Sequence, residues 1–425
     1  MTFTGLGIKA ELVQALALRN INEASEIQRL VIPRLSNAVS AGENFPEDGV
    51  PAFQHLLFSS PTGTGKTLAY VLPLLQRISR SAADAQGLQR GRPGPELLVL
   101  APTYELASQI KKELDALLPA AFSGNEPLRS ELLIGQAPLN RQIDSLKKHK
   151  PIAVVGNPAR VLQLARMKKL SFKALRYLVL DEGDRLMADE LFPETAELCR
   201  LAFSGGGAKD PAFPEERLVI ACSATFSAKN RERLFSLVPD ARWEIVTQKE
   251  NDILRKNIEH WAFFAEEREK TDMLRSFIAA AKPSKVLVFT SRAGQVGRIV
   301  SRLQYRHLAA AGLWGDMDKK DRKAAIDGFR KGNITILVSS DLAARGLDID
   351  RISHIVALDV PEGEETYIHR AGRTARAGRR GIMASFGDEA ELRRLSRIEK
   401  KLGIAVFPKE LYGGRVRAPV PEDYI

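Results

Sequence analysis

Short, uninterrupted apolar runs ending in small or polar residues recur along the first half of the chain. They are HLLFSS at 55–60, LLVLAP at 97–102, ELLIG at 131–135, IAVVG at 152–156, YLVLDE at 177–182 and LVIACSAT at 218–225. Runs of about four to eight apolar residues without polar alternation suit strands buried on both faces of a parallel sheet. Helix-like stretches lie between them, among them TLAYVLPLLQRI, ELASQIKKELDALL and KNRERLFSLV. Such alternation predicts βαβ units in an α/β fold. After residue 247 the pattern thins into the polar TQKENDILRKN, read as a linker over 248–257. A second series follows: HWAFFA at 260–265, KVLVFTS at 285–291, ITILVSS at 334–340, HIVALD at 354–359 and GIMASF at 381–386. The expected organisation is one α/β domain over 1–247, a second over 258–408, and a short tail over 409–425 with too little apolar matter for a domain. The two series share a layout but not a sequence, so no internal repeat is assigned. Stretches 36–54, 80–95 and 204–216, rich in Gly, Pro and polar residues, read as surface loops.

Composition narrows the class. The 425 residues are 44% hydrophobic and 27% charged, which excludes a disordered or collagen-like chain. No apolar run approaches the about 18 residues that span a bilayer, and MTFTGLGIKAELVQAL has no signal-peptide pattern. Only Cys199 and Cys222 are present, which fits a reducing compartment and a cytoplasmic protein. Cys222, inside LVIAC, reads as a buried, inert thiol. Lys and Arg number 63 against 52 Asp and Glu, a net charge of +11. That excess favours a polyanionic partner only mildly, since many basic proteins bind none.

The chemistry enters where HLLFSS runs into PTGTGKT and then into a helical pattern, the context that defines a phosphate-binding P-loop. Glycines let backbone N–H groups turn inward around phosphate oxygens. The loop spans Ser60, Pro61, Thr62, Gly63, Thr64, Gly65, Lys66 and Thr67, with Ser60 where the strict pattern has glycine. Lys66 is expected to reach the β- and γ-phosphates, and the Thr67 hydroxyl to bind Mg2+. YLVLDEGD supplies the second site: Asp181 at a strand end for Mg2+, through water, and Glu182 as general base for the attacking water. Two solvated acids at a strand end are the plain alternative, weakened by the P-loop upstream. Together these features point to NTP hydrolysis.

The second domain has no P-loop but carries HRAGRTAR at 369–376. A solvated basic face is one reading. The other is an arginine finger that stabilises charge on the γ-phosphate. The order PTGTGKT, PTYELA, DEGD, SAT, VLVFTSR, SSDLAARGLDI and HRAGRTAR resembles the DEAD-box ATP-dependent RNA helicases of superfamily 2, from about Phe3 to Phe386. That resemblance implies two tandem RecA-like domains, each a mostly parallel sheet flanked by helices, closing over ATP and single-stranded RNA. Gln28 then matches the glutamine that reads adenine, with Phe3 upstream and Arg19 stacking on the base. Ser223, Ala224 and Thr225 of SAT match the element coupling hydrolysis to strand separation, through a bond from Ser223 to Asp184. Gly346 and Asp348 match the ribose side of the site, and Arg373 and Arg376 the fingers, with His369 beside them. The RNA track implied is Pro102, Thr103, Tyr104, Gly135, Gln136, Asn157, Pro158 and Arg160, then Thr290, Gly315, Arg322, Ser340 and Asp341. Such contacts go to phosphates and 2′-hydroxyls rather than to base edges.

The chain departs from the family pattern at Gly183 (Ala), Tyr104 (Arg), Gln136 (Gly), Lys319 (Gln), Trp314 (His), and around Asn20-Ile21, Ala24 and Asn157-Pro158-Ala159-Arg160. The catalytic positions are intact while the RNA-facing ones have drifted. The expected function is an ATP-dependent RNA helicase using Mg-ATP, cytoplasmic and monomeric. An RNA clamp or assembly scaffold with weak unwinding, and a DNA-directed superfamily-2 helicase, are the alternatives.

Overall fold

The apolar runs become strands, and their continuity has a direct cause. In the computed structural model, residues 1–37, 55–60, 63–84, 94–122, 128–204, 217–238, 242–248, 257–315, 317–344, 349, 351–375 and 379–420 are described. Pro61, Thr62, Gly346, Asp348 and Arg376 lie outside the described residues, as do nearly all of the expected linker and most of the three expected surface loops. The first compact unit comprises Met1–Ser60 and Thr64–Gln248, and the second includes Lys249–Ile425.

The first unit holds β1 (His55–Ser59), β2 (Leu97–Leu100), β3 (Ser130–Leu133), β4 (Ala153–Gly156), β5 (Tyr177–Asp181), β6 (Leu218–Ser223) and β7 (Trp243–Thr247). They form one sheet in the order β3-β4-β2-β5-β6-β1-β7, every pair parallel. Successive residues feed opposite cores. Leu56, Phe58, Val99 and Val179 pack in one cluster, and Leu57, Leu98, Leu100 and Leu180 in the other. Helices cover both faces, so the middles of β1, β2, β4 and β5 are apolar without a break.

The second unit repeats the layout with β8 (Ile258–Phe264), β9 (Val286–Thr290), β10 (Ala310–Leu313), β11 (Ile336–Ser340), β12 (His354–Ala357), β13 (Gly381–Gly387) and β14 (Val406–Pro408). Their order is β10-β11-β9-β12-β13-β8-β14, again with parallel pairs. Part of the expected tail is also structured. β15 (Glu410–Tyr412) and β16 (Arg415–Arg417) form an antiparallel hairpin. Gly413 and Gly414 both have positive φ, as a tight two-residue turn of this hand requires. Leu411 and Val416 pack the hairpin onto one core of the unit. Residues 80–84, read as loop, instead finish the helix Lys66–Asp84. Among the described residues no helix is long and apolar enough to cross a membrane.

His55 opens β1, is 4% exposed, and accepts a hydrogen bond from the Val219 N–H at Nδ1, 3.0 Å away. Burial lowers its pKa from 6.5 to about 4. The unfolded chain therefore takes up this proton at higher pH than the folded one. The stabilisation is whole above pH 6.5, falls by about 1.4 kcal/mol per pH unit below it, and levels off near pH 4. His55→Asn, whose Oδ1 can accept the same bond, should flatten that decline in unfolding midpoints measured across the interval.

Candidate nucleotide site and nucleic-acid track

β1, β5 and β6 are neighbours, and their C-terminal ends carry the phosphate loop, the acid pair and SAT. This carboxyl edge is where open α/β sheets bind ligands. The loop leaves β1 at the buried Ser60, whose N–H bonds Ser223 O at 3.0 Å. Gly63 and Gly65 have φ of 80° and 89°, values that side chains with a Cβ rarely adopt. The helix Lys66–Asp84 starts at once, so its N-terminal N–H groups face the loop. Lys66 Nζ donates to Ser60 O at 2.6 Å. Burial lowers the Lys66 pKa, opposed by Cys222, Asp181, Glu182 and Asp184. Gln28 Nε2 donates to Gly65 O at 3.0 Å while its Oε1 accepts from the Ser25 N–H at 2.9 Å. A Cβ at position 65 would come within 2.3 Å of Gln28 Nε2, so the glycine also admits this side chain.

Asp181 is 3% exposed, and both of its carboxylate oxygens accept bonds within the protein. Its Oδ2 accepts from the Tyr70 hydroxyl at 2.8 Å, and its Oδ1 from the Glu182 N–H at 2.9 Å and from Cys222 Sγ at 3.2 Å. Tyr70 escaped the sequence reading because its spacing on the helix is that of a core residue. Its hydroxyl is held against ionisation first by burial and then by Asp181. Glu182 sits at φ 50°, ψ 51°. For a residue with a Cβ this costs about 1–2 kcal/mol, and it turns Glu182 out of the line of β5. Ser223 Oγ donates to Asp184 Oδ1 at 2.5 Å, joining β6 to the segment after β5. Ala224 is buried, and the Thr225 hydroxyl is buried without a partner.

Gly183 has a steric reason. A Cβ there would lie 2.7 Å from Phe226 Cζ, just past SAT. Gly183→Ala should therefore lower the unfolding midpoint through an overpacking cost of about 1–2 kcal/mol, and Phe226→Leu in the same chain should recover most of it.

Two expected nucleotide contacts are occupied elsewhere. Phe3 is wholly buried, its ring in the core and its carbonyl accepting from the Leu6 and Ile8 N–H groups. Its place is a packing anchor for the N-terminal segment. Arg19 Nη2 is paired with Glu113 Oε1 at 2.7 Å, which ties it to the helix Tyr104–Ala121.

Several track residues likewise have partners inside the protein. The Thr103 hydroxyl caps the helix Tyr104–Ala121, accepting from the Leu106 N–H. Arg160 donates at 3.0 Å to both Ala137 O and Gly135 O, so it braces the Gly135-Gln136 turn. Tyr104 is 40% exposed, and Gly135 and Gln136 are exposed as well. Pro102 is half-buried, and Pro158 begins the helix Pro158–Arg166 after Asn157, whose Oδ1 is buried without a partner. In the second unit the Thr290 hydroxyl accepts from the Arg292 N–H, and Ser340 Oγ from the Ala343 N–H. Arg322 Nη2 donates to Ala343 O, and Gly315 is exposed.

HRAGRTAR divides by role. Arg370 is 1% exposed and forks onto Asp341, with Nε–Oδ1 and Nη2–Oδ2 both 2.7 Å. It also donates to Asp359 O at 2.7 Å and Asp359 Oδ1 at 3.1 Å. Burial works against its charge, but the two carboxylates outweigh it and raise the pKa. Neither a solvated basic residue nor a finger, Arg370 is a core tie between the ends of β11 and β12. The Asp341 carboxylate, expected on RNA, is spent on it. His369 lies in the last turn of the helix Glu364–Ala371, and Arg373 is 5% exposed.

The residues present fit a nucleoside triphosphate with Mg2+. Positive-φ glycines and a helix N-terminus form the cradle, with Lys66 inside it. The Thr67 hydroxyl and the Asp181 carboxylate are hard oxygen donors. They are too few for an all-protein cage, as suits an ion that keeps waters and phosphate oxygens.

Fold and site together define a P-loop NTPase motor built on two tandem RecA-like domains. Residues 25–234 match the DEAD/DEAH box helicase family, and 269–378 the helicase conserved C-terminal domain. The DEAD-box ATP-dependent RNA helicase CshC of Bacillus cereus is 32% identical over 403 residues, covering 95% of this chain and 92% of its own length. The probable ATP-dependent RNA helicase YfmL of Bacillus subtilis is 30% identical over 362 residues, covering 85% and 88%. The solved structure of S. cerevisiae Dbp5 bound to RNA and ADP BeF3 matches with a TM-score of 0.75 at 25% identity, covering 96% of this chain and 95% of that one. The chain belongs to the DEAD-box helicase family.

Proposed function

We infer that the protein is an ATP-dependent RNA helicase that couples ATP hydrolysis to local unwinding of RNA duplexes or remodelling of RNA–protein complexes. The observation that carries this is the convergence of the phosphate loop, Asp181-Glu182 and Ser223-Thr225 on one sheet edge. In this reading the loop amides and Lys66 hold the β- and γ-phosphates. Thr67 and Asp181, the latter through water, hold Mg2+, which when bound neutralises phosphate charge. Glu182 takes the proton of the attacking water. Arg373 and Arg376 act as fingers on charge developing at the γ-phosphate, with His369 beside them. Gln28 exchanges Gly65 O for the adenine edge, which pairs one donor and one acceptor with an amide. The bond from Ser223 to Asp184 links phosphate loss to the strand-separating elements. The protein works in the cytoplasm as a monomer.

The RNA is gripped through phosphates and 2′-hydroxyls along 102–104, 135–136, 157–160 and the second-unit positions, largely by main-chain groups. A second reading, an RNA clamp with weak unwinding, is favoured by one observation: the polar groups of Thr103, Arg160 and Asp341 are engaged within the protein. Steady-state ATPase with matched single-stranded RNA and DNA, and with ATP and GTP, tests the assignment. RNA alone should stimulate, ATP should be strongly preferred, and Gln28→Ala should lose that preference. Equal stimulation by DNA, or equal use of GTP, would overturn it.

A further inference from the structure

We propose that Gln248 is a positioning residue for the nucleotide, setting ATP affinity through a directed chain of hydrogen bonds that ends on the phosphate loop. The inference rests on reading residues 60–67 as the ATP site. Ser60 is wholly buried and Gln248 is 6% exposed. Ser60 Oγ lies 2.5 Å from Gln248 Oε1 and 2.6 Å from Thr64 Oγ1, and Gln248 Nε2 lies 2.8 Å from Glu26 Oε2. Gln248 is fixed at its backbone as well, its N–H bonding Ser59 O at 2.9 Å.

Valence sets the direction. The Glu26 carboxylate only accepts, so the amide nitrogen faces it and Oε1 faces Ser60. Oε1 also only accepts, so the single Ser60 proton goes there. Thr64 must then donate to Ser60 Oγ. The chain runs from Thr64 to Ser60 to Gln248 to Glu26. A glycine at position 60, as in the strict loop pattern, could not make the link. Glu26 is two residues before Gln28 on the helix Glu26–Asn37, so the same chain joins the phosphate loop to the proposed adenine reader.

The relay holds Ser60 in place, and with it the carbonyl that Lys66 Nζ occupies. It also turns the Thr64 proton toward Ser60. A triphosphate has to draw Lys66 from Ser60 O, and donation of the Thr64 proton to a phosphate oxygen breaks the first link. The relay therefore favours the self-bonded loop over the loaded one, and cutting it should tighten ATP binding. A buried hydrogen bond of ordinary net strength corresponds to about three- to tenfold in affinity.

The test uses the full chain, AMP-PNP with Mg2+ as probe, and isothermal titration. Gln248→Leu and Ser60→Ala should each lower the dissociation constant by about three- to tenfold, and the double variant should go no further, because both cut one chain. In steady state Gln248→Leu should lower the KM for ATP while kcat changes by less than about twofold, a split that loosened folding would not give. Should Gln248→Leu fail to fold, Ser60→Ala cuts the same link and carries the test. Unchanged or weaker binding, or single effects that add in the double variant, would overturn the proposal. If the wild type itself binds no AMP-PNP, the nucleotide reading fails and the proposal with it. If the wild type binds and the variants bind alike, only the proposal fails.

Discussion

Glu182→Gln is expected to bind ATP as the wild type does and to hydrolyse it about 10³-fold more slowly. The loss lies within the range for removal of a general base. The reasoning is structural as well as chemical. Glu182 is held in a left-handed backbone conformation directly after Asp181, whose carboxylate is spoken for by Tyr70, Cys222 and the Glu182 N–H. The strained turn separates the two acids: one stays in the line of β5 and the other turns away from it. Substituting an isosteric amide removes proton acceptance and leaves that geometry alone. Lys66→Ala should behave differently, because the ammonium meets ground-state phosphate, so its loss weakens binding. Equilibrium titration with AMP-PNP and steady-state ATPase on both variants separate the roles. Equal loss of affinity in the two would refute the assignment.

Two arginines three residues apart should fail in opposite ways. Arg370→Met should lower the thermal midpoint of the second unit steeply, for a cost of about 3–5 kcal/mol. It strips the partner from two carboxylates, Asp341 and Asp359, while keeping much of the side-chain volume. Arg373→Ala should lower that midpoint less than Arg370→Met does, and cut RNA-stimulated turnover by about 10³-fold, the usual scale of a lost arginine finger. Nucleotide affinity should change little in Arg373→Ala. A pair of variants with the same phenotype would dissolve the division of HRAGRTAR into a tie and a finger.

Strands buried on both faces were legible because two covered faces leave a continuous apolar run, as in LLVLAP and YLVLDE. The strands that escaped, β7, β10 and β14, lie at sheet edges: Glu244 interrupts β7, β10 is the small-residue run AAGL, and β14 is only three residues long. In β7, Ile245 is 48% exposed while its neighbour Val246 is 6% exposed. The β15–β16 hairpin was overlooked although Gly413-Gly414 marks its turn, because so short a segment carries few apolar residues. At the site, the phosphate loop, Asp181-Glu182 and the approach of Ser223 to Asp184 were legible because each needs a residue type at a strand end. Tyr70, Gln248 and the role of Arg370 were not, since each depends on which strands become neighbours. Phe3 and Arg19 show the converse: motif position suggested a base, whereas local packing and Glu113 hold them.

The most direct test of the account is strand displacement of a short labelled RNA duplex by the full chain, with wild type and Glu182→Gln in parallel. The wild type should separate the strands in the presence of ATP and Mg2+, and Glu182→Gln should sustain no repeated turnover. RNA-stimulated hydrolysis by the wild type without any displacement or remodelling would contradict the helicase assignment and leave the clamp in its place.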